Sequence, residues 1–152
     1  MKVRVISQKQ EKIIQVKMRL DGNDIAFAAV DDNGNPVANA ECKFKPDKDN
    51  IWIYHIITTD PSDRHKGYGS AIFKAIEYVA YQNYIYDIRG DFAPEDKHTI
   101  DAYIKNGFEI VNADEYSGIP DEKIYKIAGD VSEDIEVEPD DNFMINRSQE
   151  MQ

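Results

Sequence analysis

The stretch DRHKGYGSAIFKAIEYVA, residues 63–80, decides how the chain is interpreted. Its glycines, Gly67 and Gly69, stand directly before a helical pattern, although glycine weakens a helix and is normally found where backbone geometry or a close approach requires it. The preceding run, IWIYHIITTDP, is rich in β-branched and aromatic residues and predicts a strand. The first N–H groups of a helix lack intrahelical partners and carry partial positive charge. A strand, a glycine-rich turn and a helix start therefore predict an anion site, and phosphate is the natural ligand to consider.

Hydrophobic patterns on both sides of this turn predict a mixed sheet with two helices. Apolar residues recur at helical spacing over residues 68–82. Pro94 suits the first turn of a second helix over residues 95–105, and Asn106-Gly107 would end that helix with a left-handed cap. Asn33-Gly34 indicates a β-hairpin over residues 24–45. Further strands are predicted in the runs KVRVISQ, IWIYHIITT, NYIYDIRGDF, FEIVNADEY and EKIYKIA. Strand–helix–strand–helix–strand beside antiparallel strands gives an α/β fold with an α+β mixed sheet.

Composition narrows the class of protein. The 152 residues carry a net charge of −11, and 41% of them are hydrophobic, which suits one folded domain. Cys42 is the single cysteine, so neither an internal disulfide nor a cysteine-rich zinc site can form. The sequence has no signal-peptide pattern and no apolar run of membrane length. We therefore expect a cytoplasmic protein that does not bind membranes or a metal.

The negative charge is concentrated at the carboxyl end. Residues 130–152 contain eight acidic residues and one basic residue, a charge of −7, which leaves −4 of the total −11 for residues 1–129. We predict a folded domain over residues 1–129 and an acidic tail over residues 130–152, in which SEDIEVEP forms either an edge strand or a disordered segment. Such a charge disfavours nucleic-acid binding. A solubilising tail and a tail that attracts a basic acceptor both remain open.

Two motifs at a suitable separation indicate a family. Pro61, Arg64, Gly67 and Gly69 occupy, without a gap, the places of a proline, a glutamine or arginine, a glycine and a small residue in the acyl-CoA-binding motif of the GNAT superfamily of N-acetyltransferases. Downstream, DAYIKNGFEIV resembles the second signature of that family, in which a tyrosine, here Tyr103, precedes a Gly-Phe pair by four residues. The chain thus resembles a GNAT N-acetyltransferase over about residues 50–127.

The resemblance implies a GNAT-like acyl-CoA N-acyltransferase fold and the transfer of an acetyl group from acetyl-CoA to a primary amine. It implies that the turn holds the coenzyme A pyrophosphate through backbone N–H groups, with side-chain charge from the rim; the residues concerned are Arg64, His65, Lys66, Gly67, Tyr68, Gly69 and Ser70. An alternative for Arg64 is a solvated turn residue. The pantetheine arm would pair, like an added strand, with the backbone near Ile56, Ile57 and Thr58.

The resemblance also suggests catalytic groups. Tyr103 takes the place of the family tyrosine that protonates the leaving thiolate; a packed core aromatic is the alternative. The glutamate that many members use as a base would fall near Ile53, so the chain departs from that pattern. His55 is the candidate base, because strand alternation would place it on the same face as Ile53. A structural role for His55, ordered water as the base, and Glu41 on the preceding hairpin all remain open.

Two further departures concern binding. Asp96 stands where the family has an asparagine that contacts coenzyme A, and residues 8–24 replace the one or two helices that form a wall of the acceptor site. The segment KQEKIIQVKMRL is either a short helix or a strand, so the acceptor cleft is shallow or is completed by another subunit or the tail. The acceptor is a small-molecule or protein amine, and a homodimer stays open. The alternatives to an enzyme are a catalytically silent acyl-CoA-binding or protein-interaction module and a small protein that acts through its tail.

Overall fold

The computed structural model describes residues 1–58, 66–90, 97–112, 122–131, 137–139 and 143–145. These residues form nine strands and two helices, in chain order β1 (Lys2–Ser7), β2 (Gln10–Asp21), β3 (Asp24–Val30), β4 (Pro36–Lys45), β5 (Asn50–Thr58), α1 (Tyr68–Gln82), β6 (Asp87–Gly90), α2 (Lys97–Lys105), β7 (Glu109–Asn112), β8 (Glu122–Ile127) and β9 (Val137–Glu138). The strands make one mixed sheet with the order β7-β8-β6-β5-β4-β3-β2-β1-β9. The predicted fold class, a mixed sheet with two helices, is confirmed.

The first five strands are connected as successive antiparallel hairpins. Between β1 and β2 the chain reverses in two residues, Gln8 and Lys9, whose φ angles of 53° and 63° suit a tight hairpin turn. Residues 1–58 contain no helix, so KQEKIIQVKMRL forms a strand and the reduced amino-terminal helical region is confirmed. Buried and exposed side chains alternate along this segment, as a strand requires: Ile14 and Val16 are buried, while Ile13 is exposed.

One face of the sheet carries the hydrophobic core. Buried and exposed residues alternate along β1 and β3, and α1 packs on the apolar face with contacts from β1 to β6. The buried side chains of the helix include Ala71, Ile72, Phe73, Ala75, Ile76, Tyr78, Val79 and Ala80. The opposite face of β2–β5, called the outer face below, exposes polar side chains such as Lys17, Arg19, Glu41 and His55.

The sheet changes from antiparallel to parallel at β5. Strand β6 pairs in parallel with β5 over Asn50–Ile53, and α1 connects the two strands. Strand β8 then lies between β6 and β7, antiparallel to both. Helix α2 ends at Lys105, and the φ of +90° at Gly107, two residues later, matches the predicted glycine stop.

The acidic carboxyl-terminal segment contributes to the folded body where it is described. Val137 and Glu138 pair with the edge of β1, so the edge-strand alternative applies to these two residues. Ile145 lies buried, and its N–H donates to Asn83 at the end of α1 over 2.8 Å. Among the described residues, no helix is both long and apolar enough to cross a membrane.

Candidate active site

Gly67 shapes the start of α1. Its φ of +93° lies in the left-handed region, and a Cβ at this position would lie 2.9 Å from Val5 Cγ2 and 3.3 Å from Ser7 Cβ. The helical hydrogen bonds begin when Ala71 N–H donates to the Gly67 carbonyl over 2.9 Å. Gly67 is therefore required by backbone conformation and by packing against β1.

Gly69 has a different environment. A Cβ at Gly69 would meet no described atom within 4 Å. Gly69 and Ser70 precede the first intrahelical donor, so their N–H groups belong to the set that a helix leaves for external acceptors. The first turn of α1 contains no acidic residue, and Lys66, just before it, is exposed. This helix start has the open space and the electrostatic sign that an anion requires.

The parallel pairing of β5 with β6 is described from Asn50–Asp87 to Ile53–Gly90, and Gly90 is the last described residue of β6. Strand β5 continues to Thr58 and pairs there with β4 alone among the described residues. Between Tyr54 and Thr58, no described strand pairs with the edge of β5 that faces away from β4. Backbone donors and acceptors along this edge, which includes Ile56 and Ile57, can therefore pair with an extended ligand.

Tyr103 lies beside Gly90, the last described residue of β6. Its side chain is 1% exposed and packs against Phe73 and Phe108, with ring centroids 5.1 Å and 5.0 Å away. Its hydroxyl oxygen lies 2.9 Å from the position that a Cβ would take at Gly90. The absence of a side chain at Gly90 thus makes room for the Tyr103 hydroxyl at the end of the β5–β6 pairing. The predicted acid is both a core aromatic and a neighbour of the predicted slot.

A β-bulge in β5 corrects the predicted position of His55. Cys42 of β4 pairs with Ile53, but Glu41 pairs with His55, so Tyr54 is an extra residue in the ladder. Strand alternation predicted that His55 would share the face of Ile53; this is wrong, because one inserted residue reverses the phase of the strand. Ile53 lies buried in the core, whereas His55 is exposed on the outer face.

The bulge brings two base candidates together. His55 and Glu41 are directly opposite each other on β5 and β4, a position in which Cβ atoms lie ~5 Å apart. Both line a groove of about 680 Å³ on the outer face. The imidazole and the carboxylate therefore face the same open space, on the side of the sheet opposite Tyr103's aromatic neighbours.

The single thiol lies outside this space. Cys42 is buried on the core face, where desolvation and the neighbouring Glu41 charge raise the pKa of its thiol well above the usual range. A buried neutral thiol is a poor nucleophile. Among the described residues, no group of three His, Cys, Asp or Glu side chains is placed to hold a metal ion.

Comparison with known proteins agrees with this arrangement. The sequence profile of the GNAT acetyltransferase family matches residues 5–108. The chain belongs to the GNAT family. The match runs from Val5 in β1 to Phe108, three residues beyond the end of α2, and so includes the start of α1, strands β5 and β6, and Tyr103.

Solved structures of GNAT proteins share the fold at low sequence identity. An acetyltransferase of Staphylococcus aureus Mu50 is 12% identical, with a TM-score of 0.61 and coverage of 71% of this chain and 70% of that one. The PaiA N-acetyltransferase of Thermoplasma acidophilum, solved in complex with coenzyme A, is 17% identical, with a TM-score of 0.57 and coverage of 69% and 61%. A variant of the Vibrio cholerae spermidine N-acetyltransferase SpeG is 19% identical, with a TM-score of 0.54 and coverage of 71% and 68%. A search of curated proteins finds no significant match.

Several of the residues predicted from the GNAT motifs lie outside the described part of the chain. These are Arg64 and His65 in the turn and Asp96 before α2. Thr58 is described as the last residue of β5. Lys66, Gly67, Tyr68, Gly69 and Ser70 all lie at the start of α1, as the motif predicts.

Sequence reasoning missed the bulge at Tyr54 and the contact between Tyr103 and Gly90. The bulge has a weak signal in the sequence: buried apolar positions are odd-numbered at Ile51 and Ile53, whereas the next partly buried one is Ile56. Ile57 hides this change of phase, because an apolar residue there also fits simple alternation. Gly90 carries no signal by itself, since a strand-ending glycine is common.

Proposed function

We propose that the chain is an acetyl-CoA-dependent N-acetyltransferase that moves the acetyl group directly to a primary amine. The observation that carries the proposal is the position of Tyr103, whose hydroxyl adjoins Gly90 at the last described residue pair of β5 and β6. A thioester held between these strands would have a proton donor on the α1 side of the sheet and the His55 groove on the other.

The residues present suit coenzyme A as a co-substrate. The start of α1 offers N–H groups of Gly69 and Ser70 and room at Gly69, and so suits a pyrophosphate. The edge of β5 over Ile56–Thr58 suits the amide-bearing pantetheine arm as an added strand. Support also comes from the related PaiA structure, which was solved in complex with coenzyme A.

Acetyl transfer to an ammonium requires three proton movements. His55, with Glu41 or a water molecule as the alternative, accepts the proton that the attacking ammonium must lose before its nitrogen bonds to the thioester carbon. The second proton, which the nitrogen must lose after this bond forms, passes to solvent. When the carbon–sulfur bond breaks, the Tyr103 hydroxyl donates its proton to the leaving thiolate and is reprotonated from solvent. The products are an N-acetyl amine and free coenzyme A. A phenol suits this role because it remains protonated at neutral pH.

Direct transfer is favoured over a covalent acyl-enzyme. The chain's sole cysteine, Cys42, is buried among core residues, and burial raises the pKa of its thiol. The base candidates also lie beside the open groove, where an amine can arrive, and not beside Cys42.

The test measures thiol release from acetyl-CoA with a panel of primary amines. We expect Tyr103→Phe to lower kcat by about 10²-fold or more while coenzyme A still binds, because the change removes the proton donor and keeps the ring. Tyr84→Phe is the matched control: Tyr84 is 72% exposed just beyond the far end of α1, and its loss of a hydroxyl should leave kcat unchanged.

Two results would contradict the proposal in different ways. An equal kcat in Tyr103→Phe and Tyr84→Phe would show that Tyr103 has no part in catalysis and is only a core aromatic. Tight binding of acetyl-CoA without thiol release for any amine would instead indicate a silent acyl-CoA-binding module.

A further inference from the structure

The outer-face groove carries a charge arrangement that bears on the acceptor. We infer that the acceptor is an amine that also bears an anionic group, a carboxylate or a phosphate, held by Lys17 and Arg19 while its nitrogen lies near His55. The inference rests on the proposed transfer reaction and goes beyond it by assigning the substrate class.

Strand register places these side chains in two parallel rows. Arg19, Ala26, Glu41 and His55 are successive partners across β2, β3, β4 and β5. All four line the groove. Since directly paired residues share a face of the sheet, their side chains project into the same space. The cation lies at the β2 end of the row, and the base candidates lie at the β4–β5 end.

The second row also has its cation at the β2 end. Lys17, Ala28 and Asn39 are partners across β2, β3 and β4, and all three line the groove. Between the two cations and the β4 residues, β3 contributes the methyl groups of Ala26 and Ala28 on the outer face, and Phe27 between them also lines the groove. These methyl groups leave an apolar floor on which a short aliphatic chain can lie.

The polar groups of the groove are not committed elsewhere in the described structure. The side chains of Lys17, Arg19, Glu41 and His55 are exposed, and none makes an ion pair or a hydrogen bond with another described residue. By contrast, Lys43 on the same face lies 3.7 Å from Asp24. Within the described part of the chain, neither groove cation is paired with an acidic side chain.

The spacing sets the size of the acceptor. Adjacent strands lie ~4.8 Å apart, so β2 and β4 are separated by ~10 Å. Side chains that reach inward from both strands shorten the gap, so nitrogen and anion should be roughly 5–10 Å apart. An ω-amino acid or the amino and carboxyl ends of a short peptide fit this separation, whereas the adjacent groups of a single α-amino acid do not.

The local charges disfavour a polyamine, although the whole chain is acidic. A second ammonium placed on Lys17 and Arg19 would be repelled, while distant acidic residues are screened beyond ~8 Å in physiological salt. The related SpeG is a spermidine N-acetyltransferase. At its β2 end, the groove of this chain carries Lys17 and Arg19, which favour an anionic group over a second ammonium.

The test compares acceptors of matched length. Thiol release from acetyl-CoA is measured with a five-carbon alkylamine, the corresponding diamine, the ω-amino carboxylate and the ω-amino phosphate. We expect kcat/KM for at least one anionic acceptor to exceed that of the alkylamine by about tenfold or more, and the diamine to be the poorest, since one charge-assisted contact contributes ~1.5–3 kcal/mol. The better anionic acceptor identifies the anion as carboxylate or phosphate.

Variants locate the effect in the groove. Lys17→Gln together with Arg19→Gln should remove the preference, so that kcat/KM for the anionic acceptors falls to that for the alkylamine measured with the same variant. Lys43→Gln, a control on the same face outside the groove, should keep the preference.

Equal kcat/KM values for all four amines, or a best rate with the diamine, would overturn the inference while the proposed transfer reaction stands. An unchanged preference in the double variant would overturn it as well. Failure of the proposed function is distinguishable, because no amine would then release thiol.

Discussion

At the scale of single residues, the two glycines of the turn illustrate how one motif combines different physical requirements. Gly67 has a positive φ and touches β1, so the fold itself excludes a side chain there. Gly69 has no described neighbour within 4 Å of a would-be Cβ, so nothing in the described protein requires it. We propose that a ligand approaching the backbone is the reason for a glycine at this position.

Substitution by alanine should separate the two requirements. Gly67→Ala should lower the free energy of unfolding by at least ~1–2 kcal/mol, because alanine is strained at positive φ and would also overlap Val5. Gly69→Ala should leave it unchanged or raise it by up to ~1 kcal/mol, because alanine favours the helix, yet weaken coenzyme A binding. Urea unfolding and calorimetric titration measure the two effects. Equal coenzyme A affinity in Gly69→Ala and the parent chain would show that ligand binding does not require a glycine at position 69.

The sequence predicted local motifs more completely than it predicted the face of a strand on which a side chain lies. The turn, α1 and the α2 stop at Gly107 follow from local residue chemistry, so they were predicted close to their observed positions. The face of the sheet on which His55 lies could not be predicted, because it depends on one inserted residue in the pairing of β4 with β5. A bulge is fixed by two strands together, and apolar Ile56 and Ile57 fit either phase.

At the scale of elements, a buried ion pair connects the two helices to the sheet. Lys126 on β8 lies 2.5 Å from Glu77 of α1 and donates to the carbonyl of Asn106, at the end of α2, over 3.0 Å. The Glu77 side chain is only 9% exposed. Lys126 thus fixes the end of the helix that carries Tyr103 and neutralises a charge within the core layer.

Removing one partner should cost more than removing both. Lys126→Met should lower the free energy of unfolding by ~3–5 kcal/mol, because it leaves the Glu77 carboxylate buried without its partner. Adding Glu77→Gln should restore part of this loss, since the buried charge is then absent. Chemical denaturation of both variants measures the difference. A double variant less stable than Lys126→Met would show that the ion pair is not the reason for the loss.

At the scale of the whole molecule, charge and packing give different accounts of the carboxyl-terminal segment. Eight acidic residues in positions 130–152 predicted a tail separate from the domain. Where the segment is described, its apolar residues lie on the body: Val137 pairs beside β1, and Ile145 packs near α1. Asn83 holds this region through its amide, which donates to the Phe143 carbonyl over 3.1 Å and accepts from Ile145 N–H. We therefore propose one domain that includes this segment.

Charge removal and packing removal should consequently have opposite outcomes. Val137→Ser together with Ile145→Ser keeps every charge, yet should lower the free energy of unfolding by ~3–5 kcal/mol, because each buried side chain contributes ~1.5–3 kcal/mol. Glu138→Gln keeps both apolar residues and should change the free energy of unfolding by less than ~1 kcal/mol, because the Glu138 side chain is exposed. Thermal and urea unfolding of this variant and of the double serine variant decide between the accounts. If the double serine variant were as stable as the parent chain, the segment would be a solvated tail, because a segment that is not packed loses no stability when its apolar residues become polar.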